Sequence, residues 1–136
     1  MSGPFAMAAV SAVMRRLLST GLGGLAPFGN VAVTALPPDR IVTTPNEPSQ
    51  LNLFMYQALP NMGWRNIGMP SHATGGERLT NPPMGLDLHY LLTAYGAEDF
   101  FAEALLGYGM QVLHQTPVLV RDYIRDTWNH PGLTVA

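Results

Sequence analysis

The chain has 136 residues, a formal net charge of −2 and no cysteine. A chain of this length forms one ordinary domain. Without cysteine it has no disulfide framework, thiolate zinc site or cysteine nucleophile. Its seven basic residues are all arginine and form no stripe, so nucleic-acid binding is not expected.

The first predicted element is a helix over residues 4–20, because Met7, Val10, Met14 and Leu17 recur at helical spacing. The early apolar run is shorter than the roughly 20 residues that a bilayer span needs. No basic residue precedes it, as one would in a signal peptide. We therefore expect a cytoplasmic protein without membrane insertion.

Three strands are predicted next, over residues 31–36, 51–59 and 84–95, with residues 41–43 as a candidate short strand. Apolar side chains alternate along these segments. The second strand has apolar side chains on both faces, which predicts that both faces are covered. The connecting segments 39–49 and 61–83 contain several prolines or glycines and are predicted to be loops.

Two further helices are predicted, over residues 100–114 and 116–128. Glu98 or Asp99 is expected to cap the first, and Thr116 the second. The resulting order is helix, strand, strand, strand, helix, helix. It predicts an α+β fold with a small, mainly antiparallel sheet and about three helices, because no crossover helix joins the long strands.

Residues 1–136 are expected to form a single domain, with 129–136 as a frayed tail. Gly107 and Gly109 cost their predicted helix about 1 kcal/mol each relative to alanine. A close backbone approach by a neighbour would explain that cost.

Charged residues make up 12% of the chain and hydrophobic residues 47%. Charged residues typically account for about 25% of a soluble domain, so this chain has few charges to cover its surface. An apolar monomer with many small or uncharged surface residues is one explanation. We favour the other, in which part of the surface is buried against further subunits.

Asp87 and His89 are the strongest candidates for catalysis. They share one face of a predicted strand, where the carboxylate could orient the imidazole as a general base. No nucleophile motif accompanies them, so we favour a pair of buried polar side chains over a small hydrolase. The other histidines, His72, His114 and His130, add no metal-ligand spacing, and no metal site is expected.

Trp64, Arg65 and Asn66 follow one another in the loop 61–83. Trp and Arg dominate the hot spots of protein interfaces, so these residues could form a contact patch. The equally weighted alternative is that Trp64 fills the core of its own domain.

Several segments of the chain form a recognisable signature. They are residues 50–57, 60–61, 64–66, 82–83, 86–96 (LDLHYLLTAYG), 105–107 and 113–114. Together they resemble the N-terminal domain of cap (tail-terminator) proteins from extracellular contractile injection systems, which are phage-tail-like particles. The resemblance runs from about residue 6 to residue 124, and the segment 86–96 is its most specific part.

This resemblance implies a structural protein without catalysis or cofactor. It implies a six-fold ring of copies at the end of the particle, in contact with the sheath protein and the inner tube protein. Such a ring ends the growth of tube and sheath and holds the sheath extended, in a particle that can be released from the cytoplasm. Another tail-like adaptor or baseplate component is the alternative.

Two groups of residues receive roles on this basis. The candidate interface consists of Trp64, Arg65, Asn66, Met69, Arg40 and Arg78. The expected scaffold of the sheet consists of Asn52, Tyr56, Asp87, His89, Tyr90 and Tyr95.

Domains of the resembling family continue with a further strand that joins the sheet, and this chain shows no such strand. The chain is therefore expected to be short or to be a fragment of a longer protein. An open sheet edge would then accept a strand from the sheath protein or from a second copy.

Overall fold

The computed structural model describes residues 5–23, 29–64, 71–79, 81 and 84–128. The helices and strands found in this part of the chain are α1 (Ala6–Leu22), β1 (Ala32–Thr34), β2 (Gln50–Pro60), β3 (Leu86–Tyr95), α2 (Phe101–Gln115) and α3 (Arg121–Trp128). Short 3₁₀ helices occur at Pro38–Arg40 and Met62–Trp64. The predicted α+β class with three helices is confirmed, whereas the predicted frayed tail lies outside the described residues.

The three strands form one sheet in the order β1-β2-β3. β1 runs parallel to β2, with Ala32 opposite Gln50 and Thr34 opposite Asn52. The sheet is therefore mixed, which refines the expectation of a mainly antiparallel sheet. Parallel strands need a connection of about a dozen residues or more, and residues 35–49 provide it without an α-helix.

β1 is shorter than predicted because a side chain replaces the backbone partner of the next residues. The Asn52 amide oxygen accepts the Leu36 N–H at 2.9 Å, and the Asn52 amide nitrogen donates to the Leu36 carbonyl at 2.9 Å. The amide thus acts as a peptide group would in a strand ladder. Beyond this point residues 41–43 are irregular and do not form the candidate short strand.

The predicted helix caps are wrong at two places. The residue before α2 is Phe100 in the left-handed conformation (φ 66°), and no side chain caps the helix; the Phe101 N–H instead donates to the Glu98 carbonyl at 3.2 Å. Thr116 closes α2, because its N–H donates to the Leu113 carbonyl at 3.2 Å. α3 consequently begins only at Arg121, not at residue 116.

The structure divides into two compact units, which we treat separately. The helical unit comprises Met1–Phe54 and Leu91–Ala136, and the loop unit comprises Met55–Tyr90. The expectation of a single domain over residues 1–136 stays a prediction. None of the helices in the described ranges is both long and apolar enough to cross a membrane.

In the helical unit, α1 packs against α2, α3 and β1. The buried apolar side chains come from α1, β2 and α2; they are Ala9, Val13, Leu18, Leu22, Leu51, Leu53 and Leu105. Asn52 is buried too, so both faces of β2 are covered at its start, as predicted. From residue 56 to residue 60 the strand is exposed, and there the prediction is wrong.

Candidate interaction surface

Apolar side chains of the loop unit are unusually exposed. The large apolar side chains that are exposed to solvent in this unit are Tyr56, Leu59, Met62, Trp64, Leu79, Met84 and Leu86. None of the described residues between 55 and 90 belongs to the buried class. The described part of this unit therefore has no apolar core of its own, and its exposed apolar surface marks it as a candidate interaction site.

Hydrogen bonds of Asn61 fix the local structure around Trp64. The Asn61 N–H donates to the Gly85 carbonyl at 2.9 Å, and its side-chain amide donates to Asp87 Oδ1 at 2.7 Å. Its side-chain oxygen accepts the Trp64 N–H at 3.0 Å. Asn61 thus joins the end of β2 to the start of β3 and to the 3₁₀ helix between them.

The backbone of Gly85 packs directly against Trp64. A Cβ atom at position 85 would lie 2.9 Å from the Trp64 Cβ atom, too close for any residue except glycine without a shift. Trp64 is therefore held at its backbone by Asn61 and at its Cβ atom by Gly85. Even so, its side chain remains 59% exposed.

We call Met62, Trp64 and Met84 the Trp64 platform. Met62 shares the 3₁₀ helix with Trp64, and Met84 is the chain neighbour of Gly85. Met62 is 70% exposed and Met84 77% exposed. An exposed tryptophan whose backbone is fixed is typical of an interface anchor, because less conformational freedom is lost when it binds.

The exposure of Trp64 excludes the alternative that it fills the core of its own unit. The other members of the expected contact patch, Arg65, Asn66 and Met69, lie outside the described residues. Their assignment to an interface stays a prediction.

The two remaining interface candidates occupy separate units. Arg40 is exposed at the end of a 3₁₀ helix in the helical unit. Arg78 is exposed in the loop unit, where it forms an isolated antiparallel bridge with His72. The structure gives each arginine access to solvent, and their interface roles also stay predictions.

The expected scaffold residues differ in burial. Asn52 is fully buried, and Tyr90 and Tyr95 are half-buried. Tyr56, Asp87 and His89 are exposed, which contradicts the expectation that the last two are buried polar side chains. The physical reason is that all three lie in the parts of β2 and β3 assigned to the loop unit, in which none of the described residues is buried.

The geometry does not join Asp87 and His89 into a catalytic pair. The hydrogen bond observed at Asp87 comes from Asn61, and the His89 ring lies against Tyr56 with a centroid separation of 6.1 Å. Within the described residues, no group of three or more His, Cys, Asp and Glu side chains could hold a metal ion. His130 lies outside that part of the chain.

One known protein family matches this chain over nearly all its length. The sequence profile of the Pvc16 N-terminal domain matches residues 9–135. The chain belongs to this family. The resemblance to terminator proteins of contractile injection systems, inferred from the residues alone, is thereby confirmed.

The fold of this family member is similar to a solved structure. That structure is the PVC sheath/tube terminator of an extracellular contractile injection system in its extended state, determined by cryo-EM. The two chains are 17% identical with a TM-score of 0.64, and the match covers 85% of this chain. It covers 40% of the terminator chain, so this chain spans two fifths of its length. No curated protein matches the sequence.

Sequence reasoning identified Trp64 but missed the residues that hold it. Asn61 follows a strand-ending proline, and asparagine in that position often bonds to the backbone of a following turn. The sequence therefore contained a signal for the role of Asn61. It contained none for the contact between Trp64 and Gly85, because the two residues are distant in the sequence and only the fold brings them together.

Proposed function

We propose that this chain is a non-enzymatic subunit of the terminator that closes the distal end of a contractile injection particle. The observation that carries the proposal is the family match over residues 9–135. The shared fold with a sheath/tube terminator supports it.

The proposed mechanism is geometric. Copies of the chain form a closed ring, with six subunits, by repeating one head-to-tail contact around an axis. One side of the ring binds the last layer of inner tube and sheath. The other side offers no surface to which a further layer can bind, so growth stops, and the bound sheath is held in its extended state.

The Trp64 platform supports this proposal as a contact surface. Its side chains are apolar and exposed, the backbone of Trp64 is held by Asn61 and Gly85, and a few large anchors provide most of the binding energy in interfaces. The small share of charged residues, 12% of the chain, is consistent with extensive burial in an assembly.

The proposed partners are further copies of the chain, the sheath protein and the inner tube protein. The ring assembles in the cytoplasm and needs no cofactor, because its role is to bind rather than to react. The proposal concerns the part of a terminator that this chain matches, which is 40% of the solved terminator chain.

The test is to add the purified chain to tube and sheath proteins and to image the particles by electron microscopy. We expect a ring at one end of each particle and a narrower distribution of particle lengths than without the chain. Trp64→Ala should reduce the fraction of capped particles at least tenfold. Val42→Ala, which also truncates an exposed apolar side chain but in the helical unit, is the matched control and should leave that fraction unchanged.

Particles of unchanged length with no density at either end would contradict the proposal. So would a chain bound along the whole sheath rather than at its end, because such binding indicates a decorating protein rather than a terminator.

A further inference from the structure

α3 has less support within the helical unit than α1 and α2 have. It is 8 residues long, whereas isolated helices shorter than about 12–15 residues are marginal in water. Among residues 121–127, whose side chains the structure describes, only Thr127 is buried. By comparison, α1 contributes four buried residues and α2 contributes two. α3 therefore depends on a few specific contacts to keep its place.

The side chain of Arg16, on α1, makes two of these contacts. Its Nη1 atom donates a hydrogen bond to Thr127 Oγ1 at 3.1 Å. Its guanidinium carbon lies 5.7 Å from the centroid of the Tyr123 ring, within the roughly 6 Å over which an aromatic face attracts a cation. Tyr123 and Thr127 are four residues apart and share one face of α3. One side chain of α1 thus holds both turns of α3.

The hydroxyl of Thr127 completes this arrangement. It donates to the Tyr123 carbonyl at 2.8 Å while it accepts from Arg16, so its donor and an acceptor site are both used in a buried position. Within the described residues, the main contact of α3 with another helix or strand is the one with α1. We call Arg16, Tyr123 and Thr127 the Arg16 clasp.

We propose that α3 is a strap that opens from α1 as a unit while α1 and α2 stay folded, and that the Arg16 clasp holds it closed. Elements with little buried apolar surface open at a lower free energy than the core does. The helical unit would thus have a second state, in which the Arg16 side of α1 is free of α3. This inference goes beyond the terminator function and does not depend on it.

The strength of the clasp comes from the charge of Arg16. A hydrogen bond from a cation is stronger than one between neutral groups, and the contact with the Tyr123 ring adds to it. The alternative is that the half-buried side chains of Tyr123 and Ile124 hold α3 by apolar packing. In that case α3 would unfold only together with the rest of the helical unit.

Native-state hydrogen exchange, followed by NMR at increasing urea concentration, tests whether α3 opens separately. In the unaltered chain the amides of residues 124–127 should exchange about tenfold or more faster than the amide of Leu105 in α2, because local opening needs less free energy than global unfolding. Their exchange should depend only weakly on urea, since opening a short helix exposes little surface. Equal protection and equal urea dependence in the two helices would overturn the inference.

Matched arginine variants test whether Arg16 is the residue that holds the strap. Arg16→Met keeps a long apolar stem but removes the guanidinium, so it should speed exchange at residues 124–127 by about tenfold or more and leave α2 unchanged. Arg15→Met is the control, because Arg15 is the neighbouring arginine of α1 and is exposed; it should change neither helix. Unchanged exchange in α3 of Arg16→Met, or equal acceleration in α2, would contradict the clasp.

A double-mutant cycle distinguishes the clasp from a general weakening of α3. Thr127→Val keeps a similar shape and removes the hydroxyl that Arg16 binds. Because the two residues act on each other, the double variant should speed exchange in α3 little more than Arg16→Met does alone. Additive effects of the two substitutions would show that Arg16 and Thr127 act separately and would overturn the clasp.

Discussion

The helical unit and the loop unit of this chain are ordered by different interactions. In the helical unit α1 packs against α2, α3 and β1, and the buried apolar side chains lie there. In the described part of the loop unit no residue is buried, and hydrogen bonds, among them those of Asn61, provide the local order. The contrast shows that apolar burial stabilises the helical unit, whereas the described part of the loop unit depends on hydrogen bonds.

β2 makes the same contrast within one strand. Leu51 and Leu53 at its start are fully or almost fully buried, whereas Tyr56 and Leu59 towards its end are exposed. Large apolar side chains occur in both halves of the strand. The two halves belong to different units, and leucine is buried in one and exposed in the other, so residue type alone does not decide the burial.

The largest expected effect comes from truncating matched leucines of β2. Leu51→Ala should lower the free energy of unfolding by about 2–5 kcal/mol, because it leaves a cavity in the helical unit. Leu59→Ala should change it by less than about 0.5 kcal/mol, as exposed substitutions usually do. Urea denaturation of both variants measures the difference. Equal losses would show that the loop unit buries Leu59 as firmly as the core buries Leu51.

A smaller loss is expected from Asn52, the buried polar residue between the two leucines. Asn52→Leu should cost about 1–3 kcal/mol, because two hydrogen bonds to Leu36 are lost and each contributes about 0.5–1.5 kcal/mol. Gln50→Leu is the control, since it removes only a side-chain bond to Thr34. If the two variants lose the same stability in urea, Asn52 does not replace a backbone partner.

The smallest effect on global stability is expected from Asn61. Asn61→Ala should change the free energy of unfolding by less than about 1 kcal/mol, because the bonds it removes are on an exposed segment. It should nevertheless speed hydrogen exchange of the Trp64 amide several-fold, since that amide loses its acceptor. Exchange measured by mass spectrometry on a peptide containing Trp64 tests this. Unchanged exchange would mean that Gly85 packing alone orders the platform.

Periodicity predicted the long elements well. β2 was expected over residues 51–59 and is observed at Gln50–Pro60, and α2 was expected over 100–114 and is observed at Phe101–Gln115. Both patterns are local, since they depend on which side chains recur at a period of two or of about 3.6 residues. The start of α3 was missed because the Thr116 N–H bonds back to α2.

Only part of the candidate site could be predicted from the sequence. The residue types around Trp64 indicated an interface anchor, but they could not distinguish it from a core residue. That distinction depends on whether another part of the chain covers the indole, and coverage is a tertiary property. Asp87 and His89 show the same limit, because their spacing was compatible with a buried pair and the fold leaves both exposed.

By itself, the sequence determined the α+β class, the family and most element bounds, because periodicity and motif spacing are encoded in neighbouring residues. Only the tertiary structure decided that β1 joins β2 in parallel, that Asn52 replaces a peptide partner and that Gly85 packs on Trp64. Each of these depends on two segments distant in the chain meeting at contact distance.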